Sequence, residues 1–289
     1  MVVSQSSTAG SLAIAGDHVY RFTAADSLEG VASAALMWAD GIRTVIPVWR
    51  QDPGNQGLQA ATRAAFTARG GTASTGIMYG AGTATFGTTA IDLAGQLQQV
   101  LATRPASQVG IYVAGFDEVA AIFAAAAGAD PERAARLASV RWYGADGIAQ
   151  SGALLANPAA MAFAETVGFP SALFGLDFTA QQSWQPLATR IQQRAGSAPD
   201  AFALAVYDAV RVAALAYLAS PSGVDVDSLA SRFAEAAESY HGATGWTALN
   251  AAGDRRYADF DFWAVRPSGA GHAWTRVAGY ETRSGTLSR

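Results

Sequence analysis

The sequence predicts an α/β fold with an open parallel sheet, and three observations carry that prediction. Short apolar runs alternate with turn residues and Ala/Leu-rich stretches from about residue 42 onward. The runs recur at the step of one strand-helix-strand unit: Val45 to Ile77 is 32 residues, Ile77 to Ile111 is 34, and Ile111 to Trp142 is 31. With 289 residues, 51% hydrophobic and 15% charged, the chain has enough apolar surface for two cores of ordinary size.

The predicted strands are Gly41–Trp49, Thr75–Tyr79, Val109–Val113 and Val140–Tyr143. Between them, Asn55 to Arg69 has apolar residues at helical spacing and stops at Gly70-Gly71, where a left-handed residue closes a helix. Ile91 to Leu101 is a second helix, ended by Pro105. Asp117 and Glu118 place negative charge at the start of a third, closed by Gly128. After residue 178 the pattern turns helical, with Trp184–Arg194, Asp200–Ala219 and Val226–Tyr240. Gly245–Leu249 and Phe260–Val265 then read as two strands joined by the turn 252–255, and Arg276–Tyr280 as a further one. Helices of an α/β layer need a sheet to bury against, and the first residues supply only one strand-like run. The expectation is that either the second lobe is atypically built or the chain starts in the middle of it.

Composition excludes several classes of chemistry. All 19 basic residues are Arg, against 23 acidic residues, for a net charge of −4. A weakly acidic chain lacks the clustered positive surface that nucleic acid requires. Absence of Lys removes a Walker-type phosphate loop and Schiff-base chemistry; absence of Cys removes disulfides, thiol nucleophiles and thiolate metal sites. No Gly-x-Ser-x-Gly elbow occurs, and Gly80-Ala81-Gly82 lacks the third glycine of a dinucleotide loop. His18, His241 and His272 are far apart and read as surface or turn residues, and Asp259 and Asp261 as a solvent-facing pair. No catalytic residue, metal or cofactor is expected. No run of about 18 consecutive apolar residues and no charged segment leading into an apolar one near the start are seen, so the chain as it stands is expected to be soluble and not to span a membrane.

What remains are polar groups at the carboxyl ends of strands, where open α/β sheets bind ligands. Ser6-Ser7-Thr8 follows Val2-Val3, and its hydroxyls and N–H groups suit either an anion such as a carboxylate or a turn cap. Asp146, between Gly144 and Gly147, is either a ligand-facing acid or an Asp-Gly turn. Phe116 meets the third helix and is either a cleft aromatic or a staple.

At these residues the chain resembles a known family. "VVSQSSTAGSLAIAGDHVYRFTAADSLEG", "GIRTVIPVW", "GIYVAGFDE", "WYGADGIA", "PDAFALAVYDAV" and "GWTALNAAGDRRYADFDFWAV" occur in the order and spacing of the type I periplasmic binding proteins of branched-chain amino-acid ABC transporters, the Leu/Ile/Val-binding protein family. The resemblance implies a periplasmic-binding-protein-like I fold, two open parallel-sheet lobes joined by three crossovers, here with the first lobe incomplete because the family's chain has a long segment before the Ser-Ser-Thr motif. It places residues 1–24 and 178–247 in lobe 1 and residues 25–177 and 248–289 in lobe 2, with crossovers near Thr23-Ala24, Phe174–Asp177 and Trp246–Asn250.

The resemblance further implies a small amino-acid-like or carboxylate ligand, an ABC transporter permease as partner, and a periplasmic or cell-surface location. Ser6, Ser7 and Thr8 would take an α-carboxylate, Asp146 an α-ammonium, Phe116 and Phe202 would line the cleft, and the loop from Trp49 to Asn55 would approach from the other lobe. The family more usually has Glu at Asp146 and Tyr at Phe116; the shorter acid and the lost hydroxyl point to a ligand that is larger, more apolar, or not an α-amino acid. The rival expectations are a sensory domain of the same fold, an α/β-sheet enzyme, and a non-binding remnant.

Overall fold

The computed structural model describes residues 1–177, 180–269 and 271–289. In chain order its elements are β1 (Val2–Ser4), β2 (Val19–Arg21), α1 (Asp26–Ala39), β3 (Thr44–Gln51), α2 (Pro53–Ala68), β4 (Thr72–Ala73), β5 (Ile77–Gly80) and α3 (Gly87–Leu101). There follow β6 (Val109–Ala114), α4 (Val119–Ala127), α5 (Pro131–Ala138), β7 (Arg141–Gly144), α6 (Gly152–Ala156), α7 (Pro158–Val167) and β8 (Ser171–Phe174). The remainder is α8 (Gln181–Ala195), α9 (Ala201–Leu218), α10 (Val226–Ser239), β9 (His241–Gly242), β10 (Gly245–Trp246), β11 (Asp259–Ser268), β12 (Gly271–Glu281) and β13 (Thr286–Ser288).

Two compact units emerge. Unit 1 comprises Met1–Leu28, Phe174–Phe260 and Tyr280–Thr286; unit 2 comprises Glu29–Leu173, Asp261–Gly279 and Leu287–Arg289.

Unit 2 is built on the predicted parallel strands. The sheet runs β13-β12-β11-β8-β7-β6-β3-β4, with β5 also on β3. β3, β5, β6 and β7 are parallel, in a register that sets Ile46 beside Ile111 and Ile111 beside Trp142. Every residue of the central β6 is buried, as expected of a parallel strand covered on both faces. Phe123 of α4 meets Trp142 edge-on at 5.2 Å and Phe169 at 4.6 Å, filling the layer between helices and sheet. The helices start where side chains satisfy their orphan N–H groups: Asp52 caps α2, Asp130 caps α5, Ser151 caps α6 and Asn157 caps α7. Gly76, at φ +77, lets the loop before β5 cross Pro47; a Cβ there would stand 2.3 Å from the Pro47 carbonyl oxygen.

Unit 1 is mostly helical. Its strands are the parallel pair β1–β2, Val2 beside Val19, and the antiparallel pair β9–β10, Gly242 beside Gly245. The predicted hairpin of Gly245–Leu249 with Phe260–Val265 therefore does not form: Gly245-Trp246 turns back on His241-Gly242, while Phe260–Val265 lies in β11. A buried ionic core explains the local preference. Asp208 of α9 accepts from the Ala243 N–H (2.8 Å), the Thr244 N–H (2.8 Å) and the Thr244 hydroxyl (2.6 Å). Arg255 donates to Thr244 Oγ1 (2.6 Å) and to the carbonyls of Thr244 (2.8 Å), Trp246 (2.5 Å) and Phe22 (3.3 Å).

The same contacts hold the segment 248–258, expected in lobe 2, inside unit 1. Arg21 bridges Asp254 through its backbone and pairs with its carboxylate, both side chains being buried. α9 is long and apolar enough by length and composition to cross a membrane. One face of it, Asp208 included, is buried, while Val206, Val210, Tyr217 and Leu218 are exposed. Asp261 corrects the expectation of a solvent-facing acid pair: it is 6% exposed and takes a hydrogen bond from Arg276 Nε, which faces it from β12.

Candidate functional site

The polar residues singled out in the sequence fall in both units, and each group has its own geometry. In unit 1 the segment Ser6-Ser7-Thr8 leaves β1 and is tied down from below. The Ser7 N–H donates to Ser4 Oγ (3.1 Å), Arg21 Nη1 donates to the carbonyls of Ala9 (2.7 Å) and Ser7 (3.4 Å), and the Asp26 N–H donates to the Thr8 carbonyl (3.0 Å). The Thr8 side chain hydrogen-bonds the Asp26 carboxylate at the start of α1. The carbonyls are thus turned inward, Ser6 is exposed, and Ser7 and Thr8 are half-buried. The Ser7 N–H is thus already satisfied within the loop. Phe202, on the first turn of α9, packs edge-on against Phe174 at 5.6 Å, and the Arg255 guanidinium lies 5.7 Å from the Phe174 ring.

Asp26 is 3% exposed and its Oδ2 has no hydrogen-bond partner among the described residues. Burial raises its pKa above the ordinary 3.8, with Thr8 and Arg21 acting the other way. The folded state therefore holds this proton more tightly than the unfolded chain. Stability should fall as pH rises from the ordinary carboxylate value through the raised one. Asp26→Asn keeps the shape and removes the ionisation, so its melting temperature is expected to vary less than that of the wild type between about pH 4 and pH 7, as thermal unfolding monitored by circular dichroism would record.

In unit 2 the carboxyl ends of β3, β5, β6 and β7 gather a second group. Arg50 of β3 is in register with Tyr79 of β5, and both adjoin Glu118, just past β6. The Tyr79 hydroxyl donates to Glu118 Oε1 (2.9 Å), and Arg50 Nη1 stands 3.8 Å from the same oxygen. Burial, then the Glu118 charge, pushes the Tyr79 phenol up, so it remains a hydrogen-bond donor at neutral pH. Glu118 lies at the start of α4, where negative charge was expected, and makes no side-chain cap hydrogen bond to the helix. Asp117 instead accepts from the Ser151 hydroxyl (2.6 Å).

Phe116 is 45% exposed, with Arg50 Cζ 5.1 Å from its ring centroid; it is not folded away as a staple. Asp146 is half-buried: its N–H donates to Glu29 Oε1 (3.0 Å), and its Oδ1 accepts from the Gly147 N–H (2.6 Å), as in an Asp-Gly turn. Gly147 allows the β6 and β7 loops to touch, since a Cβ there would lie 2.6 Å from the Gly115 carbonyl oxygen and 2.7 Å from the Phe116 ring. Trp49 precedes Arg50 and takes the other face of the strand, its ring against Gly76.

Unit 2 thus brings Phe116 and Asp146 to one loop cluster and leaves Trp49 on the opposite face of β3. Tyr79, Glu118 and the buried Glu29 are additions that sequence reading missed, and Arg50 lay within the expected Trp49–Asn55 segment without being singled out. The available signal was position: Arg50 and Tyr79 close their strands at the carboxyl end. No group of three or more His, Asp or Glu among the described residues could hold a metal ion.

This chain has the periplasmic-binding-protein-like I fold, an α/β architecture shared with substrate-binding proteins of ABC transporters. An ABC transporter substrate-binding protein from Desulfitobacterium hafniense matches with a TM-score of 0.69 and 18% identity, over 96% of this chain and 73% of that one. The leucine-binding protein LivK from Thermotoga maritima matches with a TM-score of 0.64 and 18% identity, over 94% and 71%. A solute-binding protein from R. palustris, solved in complex with benzoate, matches with a TM-score of 0.62 and 17% identity, over 95% and 71%. Among curated proteins, an uncharacterised protein of Methanocaldococcus jannaschii is 25% identical over 287 residues. The match covers 94% of this chain and 63% of that relative, so the chain spans less than two thirds of its length. No protein-family model matches.

Proposed function

We propose that this protein is a non-catalytic solute-binding protein that acts outside the cytoplasm and hands a small amino-acid-like or carboxylate solute to the permease of an ABC transporter. The observation that carries this reading is the likeness to substrate-binding proteins over nearly the whole chain, combined with polar and aromatic side chains at the carboxyl ends of the strands, where open α/β sheets take ligands. In this reading Ser6, Ser7, Thr8 and Phe202 form the half-site of one lobe; Phe116 and Asp146, with the end of β3 and the start of α2 (residues 50–55) in place of the expected loop from Trp49, form that of the other. In this reading binding desolvates the paired charges of solute and protein.

The placement of the residues favours binding over turnover. Asp146 and Glu118 are engaged by the Gly147 N–H and the Tyr79 hydroxyl, and none of the proposed contacts pairs a nucleophile with a base. The leucine-binding and benzoate-bound neighbours indicate the range of solutes to test. A thermal-shift panel of leucine, other amino acids, aromatic acids and their amides should raise the melting temperature for at least one class. No shift with any member at millimolar concentration would count against the proposal.

A further inference from the structure

We propose that Arg50 is the specificity-determining residue of the unit 2 half-site, and that it selects a solute carrying a carboxylate next to a flat apolar body. The inference rests on the solute-binding reading and deepens it.

The acids beside Arg50 have better partners than Arg50. Asp52 spends its Oδ1 on the Asn55 N–H (2.9 Å) and its Oδ2 on Asn55 Nδ2 (2.8 Å), capping α2. Glu118 takes the Tyr79 hydroxyl at 2.9 Å. Toward Arg50 the same groups stand at 3.3 Å (Asp52 Oδ2 to Nε) and 3.8 Å (Glu118 Oε1 to Nη1). The first is within ion-pair range but misaligned for a hydrogen bond, and the buried Nε has no hydrogen-bond partner among the described residues.

A guanidinium offers five donors in a planar fork that matches a carboxylate, and a buried donor left without an acceptor is costly. The two acids hold the fork near the carboxyl ends of the strands without consuming it. Phe116 supplies the second element. Its ring is nearly half exposed, 5.1 Å from Arg50 Cζ, so a planar or branched apolar group can lie on it while an attached carboxylate reaches the fork. A neutral amide of the same shape would bring one acceptor oxygen to the fork and no charge, so it loses both the bidentate geometry and the charge-assisted bond.

The test is a calorimetric titration of the full chain with benzoate, benzamide, leucine and leucinamide, repeated on Arg50→Gln and Arg50→Lys. The wild type is expected to bind an acid at least about tenfold more tightly than its amide. Arg50→Gln should bring that ratio close to one while the melting temperature stays within a few degrees of the wild type. Arg50→Lys, which keeps the charge but loses the fork, should restore only part of the preference. If acid and amide bind equally to the wild type, or if Arg50→Gln keeps the preference, Arg50 is not the selector and the carboxylate is read elsewhere; solute binding itself would stand. Failure of all four probes to bind would remove this inference together with the reading on which it rests.

Discussion

Arg255→Ala is expected to lower the melting temperature of unit 1 by roughly 10–20 °C, because it leaves a buried charge without its counterpart. Arg255 is 2% exposed and reaches four oxygens on two segments: the Phe22 carbonyl after β2, and the Thr244 hydroxyl and carbonyl with the Trp246 carbonyl in the β9–β10 hairpin. Thr244 Oγ1 accepts from Arg255 and donates to Asp208, so the hydroxyl connects a buried cation to a buried anion. Desolvation lowers the Arg255 pKa to about 10, which still leaves it charged at neutral pH. Truncation strands the Asp208 charge in a fully buried position, and breaking a buried pair in this way costs about 3–5 kcal/mol. A unit of about this size shifts a few degrees per kcal/mol, which gives the range above. Replacing both ends together, as Arg255→Met with Asp208→Leu, should not recover the loss, because the Ala243 and Thr244 N–H groups and the Thr244 hydroxyl then lose their buried acceptor. Thermal unfolding followed by circular dichroism measures both; a shift under about 3 °C for Arg255→Ala would show that the network is not what fastens this unit.

Gly147→Ala is expected to weaken binding of any solute at least about tenfold, with a much smaller change in stability than Arg255→Ala. The added Cβ would sit 2.6 Å from the Gly115 carbonyl oxygen and 2.7 Å from Phe116 Cδ1. Backbone at the end of β6 cannot yield, since β6 is hydrogen-bonded on both sides, to β3 and to β7. The exposed Phe116 ring and the Asp146 turn must move instead, and these are the groups proposed to meet the solute. Calorimetric titration beside a melting curve separates the two effects. Unchanged affinity would mean that the β6 and β7 loops do not form the binding surface.

Unit 2 was legible in the sequence because its signals are local. Each strand is a short apolar run closed by turn residues, and each helix has its cap or stop within a few residues, as with Asp52 before α2 and Gly128 after α4. The errors fall where distant contacts override local pattern. Gly245-Trp246 has a turn and an alternating run downstream, yet it pairs backward on His241-Gly242 because Asp208, far away in sequence, gathers the Ala243 and Thr244 N–H groups. Asp261 looked solvent-facing by alternation, yet Arg276 of the adjacent strand meets it inside.

The candidate site divides in the same way. Ser6-Ser7-Thr8, Phe116 and Asp146 were visible because each sits at a strand end among glycines or hydroxyls. Arg50 fell within the expected Trp49–Asn55 segment without being singled out, and Tyr79 and Glu118 were not visible, because their relation depends on the β3–β5 register and on a hydrogen bond from a phenol on β5 to a residue past β6. Such a cluster has no sequence spacing to search for.

The most direct test of solute binding is calorimetric titration of the purified chain with the solute that gives the greatest thermal shift, in wild type and in Asp146→Ala. Saturable binding of one solute per chain, weakened at least about tenfold by Asp146→Ala, is the predicted result. No saturable heat with any amino acid, aromatic acid or amide, from a chain that melts cooperatively, would contradict it.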